Sequence, residues 1–203
     1  FHKPSKISFE EGAFLEPLSC VVHSIKKTDI KKGDNVLIIG AGPIGLLHIS
    51  LTKLKGAKVI ITALEPERLK LAETLGADKV VLPSEINENI RNLTDGIGAD
   101  YVFECTGQLD VWESAINYVR RGGTIILFGG VKKGSKITYD TYRLHYDEIT
   151  LKGVFHFTPQ DVKDAYKLLK DTISVTSLIS GKFSLKDLPL ALKKLSQGDG
   201  IKY

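Results

Sequence analysis

The amino-acid sequence predicts an α/β fold in which a parallel sheet carries helices on both faces. Six short apolar runs rich in β-branched residues have the length of strands, at about 35–40, 58–63, 79–82, 100–105, 123–129 and 149–154. Helical patterns separate the first five of them, at about 43–55, 66–75, 85–94 and 109–120. Regular alternation of strands and helices predicts a doubly wound sheet, whose ligands bind at the carboxyl ends of the strands.

The chain ends are predicted to be mainly helical. Ser8 and Glu11 form a capping-box pattern, which predicts a helix from Glu10 to about Lys27 with an interruption at Pro17. After the last strand of the sheet we expect a helix at about 159–171, a strand-like SLISGKF segment and a final helix at about 186–197.

A glycine motif follows the first predicted strand. Gly40, Gly42 and Gly45 stand in a G-x-G-x-x-G pattern, with Pro43 and Ile44 opening the next helix. Gly40 allows a tight turn, Gly42 lets a diphosphate approach the backbone, and Gly45 lets the helix pack close to the strand. The strand before and the helix after the motif favour a dinucleotide site over a glycine-rich turn that binds nothing.

Composition excludes some classes of partner. The 203 residues carry a net charge of +4, from 28 basic and 24 acidic residues. These charges are spread along the chain without a basic block, which argues against nucleic-acid binding. No apolar run reaches transmembrane length and no signal peptide is recognisable, so we expect no membrane partner. Cys20 and Cys105 lie in apolar surroundings and are expected to be reduced, as in a cytoplasmic protein.

Several motifs together resemble the zinc-dependent medium-chain dehydrogenases, in particular their polyol (sorbitol-type) and alcohol dehydrogenase branch. They are Glu16-Pro17-Leu18-Ser19-Cys20, GAGPIG at 40–45, Glu104-Cys105-Thr106-Gly107, Arg121-Gly122-Gly123, Lys152-Gly153-Val154-Phe155 and the C-terminal SLISGKFSLKDLPLALKKLSQGDGIK. The resemblance implies a Rossmann domain that binds NAD or NADP. It also implies hydride transfer between a secondary alcohol and nicotinamide, in a homodimer or tetramer that pairs through the sheet edge near 136–150.

The resemblance also implies a domain organisation. Residues 1–20 correspond to the end of a catalytic domain and a linker helix, 21–157 to the Rossmann domain, and 158–203 to an α+β segment returning to the catalytic domain. The family's Gly-His-Glu motif and catalytic Cys belong to an upstream half that this sequence lacks. Zinc is therefore expected in the intact enzyme but not on this chain, which should be inactive alone; only Glu16 matches a position near the metal.

The choice between NAD and NADP depends on the end of the second strand. Ala63 stands where NAD-preferring members carry an Asp that binds the ribose hydroxyls. Glu65 either takes over that role or serves as a helix-start acid. Arg68 either pairs with a 2′-phosphate or lies on a solvated helix face. We expect NAD, with NADP not excluded.

The nicotinamide end is assigned by matching positions. Thr106 and Gly107 correspond to residues that meet the nicotinamide-side ribose or ring, and Phe128 and Val154 to residues that offer backbone groups to the carboxamide. Gly129, at the same strand end as Phe128, is also expected to bind the cofactor. His156 replaces an Arg of polyol dehydrogenases, which favours a smaller or less polar alcohol. Its ring either relays a proton or is structural.

Two other functions remain open at this point. One is a zinc-free reductase of the quinone type with the same fold, against which Glu16-Pro17 argues. The other is a free-standing nucleotide-sensing module, against which the C-terminal segment argues.

Overall fold

The computed structural model describes residues 3–203 and confirms the doubly wound α/β fold. Six parallel strands form one sheet in the order β3-β2-β1-β4-β5-β6, which is the Rossmann order. The strands are β1 (Asn35–Ile39), β2 (Lys58–Thr62), β3 (Lys79–Val81), β4 (Ala99–Glu104), β5 (Val119–Leu127) and β6 (Thr150–Gly153). Strand order reverses between β1 and β4, so a crevice opens beyond their carboxyl ends.

Helices connect the strands and cover both faces. They are α1 (Phe9–Gly12), α2 (Leu15–Lys26), α3 (Pro43–Leu54), α4 (Pro66–Thr74), α5 (Ile86–Leu93), α6 (Leu109–Ser114), α7 (Thr141–Tyr146), α8 (Pro159–Asp171) and α9 (Leu188–Ser196). None of the helices within 3–203 is both long and apolar enough to cross a membrane.

Alternate residues of the strands divide the apolar core in two. One core packs against α2, α3 and α8 and takes from the strands Val36, Ile38, Val59, Ile61, Phe103 and Ile126. The other packs against α5 and the segment after α6 and takes Leu37, Ile39, Ile60, Val102, Ile125 and Leu127. Because both faces are buried, the central strands are apolar at nearly every position, as parallel strands usually are.

The prediction for the N-terminal helix is wrong about the position of its interruption. The capping box at Ser8 is present, but α1 ends at Gly12, and α2 then begins at Leu15. Pro17 lies in the first turn of α2, where a missing N–H breaks no helical hydrogen bond.

Two other boundaries also differ from the prediction. The helix expected to reach residue 120 ends at Ser114. β5 starts earlier than predicted, at Val119, because a bulge lets Val119 pair with Ala99 before the regular pairing of β4 and β5 begins at Tyr101. The strand expected in SLISGKF is a single 3₁₀ turn at Thr176–Leu178 followed by one isolated bridge, from Ile179 to Lys202.

The C-terminal segment packs on the same core as the sheet. α8 begins at Pro159 and ends at Asp171, as predicted. Its Asp161 accepts from Lys26 at 2.8 Å and lies 2.8 Å from His23 Nδ1, and both partners belong to α2. Burial raises the pKa of Asp161, but these partners and Thr158 outweigh it and lower the pKa. The domain division at 20 and 157 stays a prediction, as does pairing of subunits through the edge strand β6.

A buried histidine lies inside α3. The His48 side chain is completely buried between Phe103 and Phe128, with ring centroids 4.6 and 5.2 Å away. Its Nδ1 lies 2.9 Å from the Ile44 carbonyl, which can only accept, and its Nε2 lies 2.6 Å from Ser24 Oγ. Burial therefore lowers the pKa of His48 to about 4.

The buried histidine predicts an acid-sensitive fold. The unfolded chain binds a proton at His48 below its ordinary pKa of 6.5, whereas the folded chain binds it only near 4. The free energy of unfolding should therefore fall by about 2 kcal/mol between pH 7 and pH 5 through this residue. Urea unfolding at pH 7 and pH 5 should show this fall in the free energy of unfolding in the wild type. The control variant His145→Gln should show the same fall, because His145 is exposed. An equal fall in His48→Gln would contradict the assignment of this acid sensitivity to His48.

Candidate functional site

A cleft of about 660 Å³ opens at the carboxyl ends of β1, β2 and β4. This is the point of the sheet where the strand order reverses, as expected for a ligand site of this fold. The lining residues are Ile39, Gly40, Ala41, Gly42, Thr62, Ala63, Leu64, Glu65, Arg68, Pro83, Ile86, Cys105, Thr106, Gln108, Asp110, Val111, Ser114 and Tyr118.

The turn from β1 to α3 allows no side chain at two of its glycines. Gly40 has φ +105°, and a Cβ there would lie 2.9 Å from Thr106 Cγ2. A Cβ on Gly45 would lie 1.8 Å from the Gly40 carbonyl oxygen. Both glycines are therefore needed for the fold itself, since they let α3 start directly against the end of β1.

Gly42 is different because open space lies in front of it. A Cβ on Gly42 would meet nothing within 4 Å, and its φ of −73° suits any residue. Gly42 is the N-cap of α3, with Pro43 at the first helical position, no capping side chain and no acidic residue in the first turn. The N–H groups and the positive dipole end of α3 thus meet an open cradle, which fits the diphosphate of a dinucleotide.

The end of β2 forms the outer side of the cleft. Ala63 lines it but offers no polar side chain, as the sequence indicates. Glu65 is the N-cap of α4, makes no capping hydrogen bond with its side chain, and is exposed on the rim. Arg68 is only partly exposed. Its Nη2 donates to the carbonyls of Gly198 at 3.0 Å and Gly200 at 3.3 Å. The C-terminal segment therefore holds Arg68 at the cleft, a contact that sequence reasoning missed.

The end of β4 is organised by Glu104, which sequence reasoning noted only as part of a motif. Its carboxylate is fully buried, and its Oε1 accepts from the Thr106 N–H at 2.6 Å, from the Thr106 hydroxyl and from the Gly107 N–H at 3.1 Å. The Glu104 carbonyl accepts from the N–H groups of Phe128 at 3.0 Å and Gly129 at 2.9 Å. One residue thus fixes the turns after both β4 and β5.

These contacts define what Thr106 can offer a ligand. Its N–H and its hydroxyl proton are already donated to Glu104, and its Oγ1 accepts from the Gln108 N–H at 3.1 Å. The hydroxyl can therefore only accept a further hydrogen bond, for example from a ribose hydroxyl.

The remaining predicted nicotinamide residues lie just outside the lining of the cleft. Gly107 and Gly129 are in close contact, because a Cβ on Gly129 would lie 2.1 Å from Gly107 N. Val154 continues the sheet beyond β6 and donates to the Leu127 carbonyl at 3.3 Å. Gly107, Phe128, Gly129 and Val154 thus form one connected set of strand ends beside Thr106.

The inner wall of the cleft contains residues that the sequence did not single out. Pro83, Ile86, Val111 and Tyr118 come from the segments that follow β3 and β4. Their apolar patterns only indicated a core, since nothing local distinguishes a buried side chain from one that faces a ligand. This wall suits the flat apolar face of a nucleobase.

A second group of donor atoms lies at the N-terminal end of α2. One ligand atom each from Glu16, Cys20 and His156 lies within 4.8 Å of the others, and Cys20 Sγ is 3.5 Å from Glu16 Oε1. Burial, followed by the nearby Glu16 carboxylate, raises the pKa of Cys20 to about 12. His156 has φ +54° and lies between Phe155 and Phe157. Carboxylate, thiol and imidazole are a donor set that fits zinc.

Comparison with known proteins connects these features to one family. The family described as zinc-binding dehydrogenase matches residues 43–171. The sorbitol dehydrogenase of Halalkalibacterium halodurans is 32% identical over 206 residues, which cover 99% of this chain and 60% of that protein. The D-xylulose reductase A of Aspergillus oryzae is 33% identical over 207 residues, which cover 98% of this chain and 57% of that protein.

Solved structures give the same result. The 2R,3R-butanediol dehydrogenase of Bacillus subtilis is 30% identical with a TM-score of 0.85, covering 98% of this chain and 58% of that one. A Sinorhizobium meliloti protein described as a zinc-binding dehydrogenase and bound to NADP is 29% identical with a TM-score of 0.86, covering 95% and 58%. The chain thus spans less than two thirds of the relatives it matches. It belongs to the zinc-dependent medium-chain dehydrogenase family.

Proposed function

We propose that the chain binds the diphosphate of NAD(P) at the N-terminus of α3, as the cofactor-binding part of an alcohol or polyol dehydrogenase. The open space in front of Gly42 carries the proposal, since Gly40 and Gly45 are needed for packing whereas Gly42 meets nothing. The apolar wall of the cleft suits the adenine, and the NADP-bound S. meliloti relative supports the class of ligand.

In the intact enzyme, the proposed reaction moves a hydride between a secondary alcohol and the nicotinamide, and a bound zinc ion would polarise the alcohol oxygen. The residues of this chain orient the cofactor. Thr106 accepts from its ribose. The strand ends around Gly129 and Val154 offer backbone carbonyls to the carboxamide, because their N–H groups already donate to Glu104 and Leu127. The unpaired state of Cys20 and Cys105 supports a cytoplasmic location.

Proposed metal binding completes this assignment. Zinc would be held by Glu16, with Cys20 and His156 as further donors in reach. Sequence spacing does not reveal this set, because the donors come from two segments far apart in the chain. A donor role for His156 competes with the proton relay expected from the sequence, since both use the same imidazole.

The first prediction separates cofactor binding from folding. Gly42→Ala should change the free energy of unfolding by less than about 1 kcal/mol, because its Cβ meets no protein atom. It should weaken NAD binding roughly ten-fold or more in calorimetric titration, because the methyl group occupies the path of the diphosphate.

The matched control is Gly45→Ala. Its Cβ would clash with the Gly40 carbonyl at 1.8 Å, so thermal unfolding should show a loss of about 3 kcal/mol or more. If Gly42→Ala bound NAD as tightly as the wild type, the diphosphate would not lie at this turn and the proposal would fail.

A second prediction concerns the choice of cofactor, for which we propose NAD. The exposed Glu65 carboxylate on the rim should repel a 2′-phosphate. Glu65→Gln should therefore raise the affinity for NADP relative to NAD by roughly three- to ten-fold in paired titrations. Glu67→Gln is the control, because Glu67 is exposed on the same helix and pairs with Lys70. An unchanged ratio in Glu65→Gln would show that this carboxylate does not select the cofactor.

A third prediction tests the metal donors with Co²⁺ as a spectroscopic probe. In contrast to the sequence-based expectation that this chain alone holds no zinc, its titration should produce a thiolate-to-cobalt charge-transfer absorption. Cys20→Ser should abolish this absorption and His156→Ala should weaken it. Cys105→Ser is the control, because Cys105 lies in the cleft, away from this donor group. Loss of the band in Cys105→Ser but not in Cys20→Ser would refute the assignment.

A further inference from the structure

We propose that the buried carboxylate of Glu104 strengthens the binding of oxidised relative to reduced cofactor at the nicotinamide end of the cleft. The inference rests on the proposed function and deepens it. It assigns to Glu104 a positioning and electrostatic role that goes beyond holding the fold together.

The position of Glu104 links it to the turns expected to face the nicotinamide. It is the last residue of β4 and is completely buried. Its carboxylate accepts from Thr106 and Gly107, and its carbonyl accepts from Phe128 and Gly129. A Cβ on Gly129 would lie 2.6 Å from Glu104 Oε2, so the carboxylate lies directly behind both turns.

The Glu104 carboxylate is surrounded by neutral hydrogen-bond donors. Its hydrogen-bond donors, the N–H and hydroxyl of Thr106 and the N–H of Gly107, are neutral groups. Within residues 3–203 no ion pair includes Glu104, whereas Asp100, at the start of the same strand, pairs with Arg120 at 2.6 Å. The carboxylate is therefore held by dipoles alone, and its field reaches the neighbouring cleft in a medium of low dielectric.

The two states of the cofactor respond differently to this field. The oxidised nicotinamide ring carries one positive charge, and acceptance of a hydride cancels it. The carboxylate accepts from the N–H groups of Thr106 and Gly107, so only this one turn of backbone separates its charge from a ligand on the other side. A buried negative charge so placed should favour NAD⁺ over NADH by about ten-fold after partial screening by solvent.

Glu104→Gln tests the proposal because it removes the charge and keeps the shape and one acceptor oxygen. Calorimetric titrations should use NAD⁺, NADH and ADP-ribose, which has no nicotinamide. We expect the ratio of NAD⁺ to NADH affinity to fall by about ten-fold, while ADP-ribose affinity changes by less than about two-fold. Glu104→Asp keeps the charge and should keep a ratio close to that of the wild type.

Asp100→Asn is the matched control for a purely structural role. Asp100 accepts from the Asn35 N–H at 2.7 Å and pairs with Arg120, at the opposite end of β4. Removal of the Asp100 charge should lower the free energy of unfolding and leave the ratio of NAD⁺ to NADH affinity unchanged.

The outcomes separate this inference from the proposed function. A wild-type chain that fails to bind ADP-ribose would overturn both. Binding of ADP-ribose together with an unchanged ratio in Glu104→Gln would overturn only the role of Glu104, as would an equal fall in Asp100→Asn. Should Glu104→Gln fail to fold, Glu104→Asp decides, because it shortens the side chain but keeps the charge: a ratio within about two-fold of the wild-type ratio supports the proposal, and a fall of about ten-fold overturns it.

Discussion

The close approach of α3 to the end of β1 is the constraint on which the rest of the structure depends. Gly45 has no side chain, so the first turn of α3 can lie directly on the Gly40 carbonyl. This contact aims the amino end of the helix at the point where the sheet order reverses. The anion cradle at Gly42, the walls of the cleft and the position of Thr106 beside Gly40 all follow from it.

Sequence reasoning succeeded where the determining contacts are local. The six strands and the glycine turn could be predicted because β-branched runs and glycine spacing depend on neighbours in the chain. The predicted limits of helices and strands were wrong where contacts between distant segments determine them. Val119, for example, is extended because it pairs with Ala99. The break before α2 was misplaced because Pro17 breaks a helix only beyond its first turn.

The same distinction applies to the candidate site. The glycine motif and Ala63 can be read directly from the sequence, whereas the partners of Arg68 come from a segment 130 residues further along the chain. Glu104 was recognisable as part of a motif, but only the structure shows that its carboxylate is buried and hydrogen-bonded to the turn at Thr106 and Gly107. Glu16, Cys20 and His156 form a donor group only after folding, so no spacing rule could detect them.

The strand order also constrains how the protein is made. Among the six strands of this sheet, β1 is synthesised first and becomes a central one: Val36 pairs with Val59 on one side and with Tyr101 on the other. The half formed by β1, β2 and β3 can therefore assemble early, with one edge of β1 open until β4 has been synthesised. An open apolar edge is a template for wrong pairing. Dependence on chaperones during translation should therefore be greatest in the interval between the synthesis of β3 and that of β4.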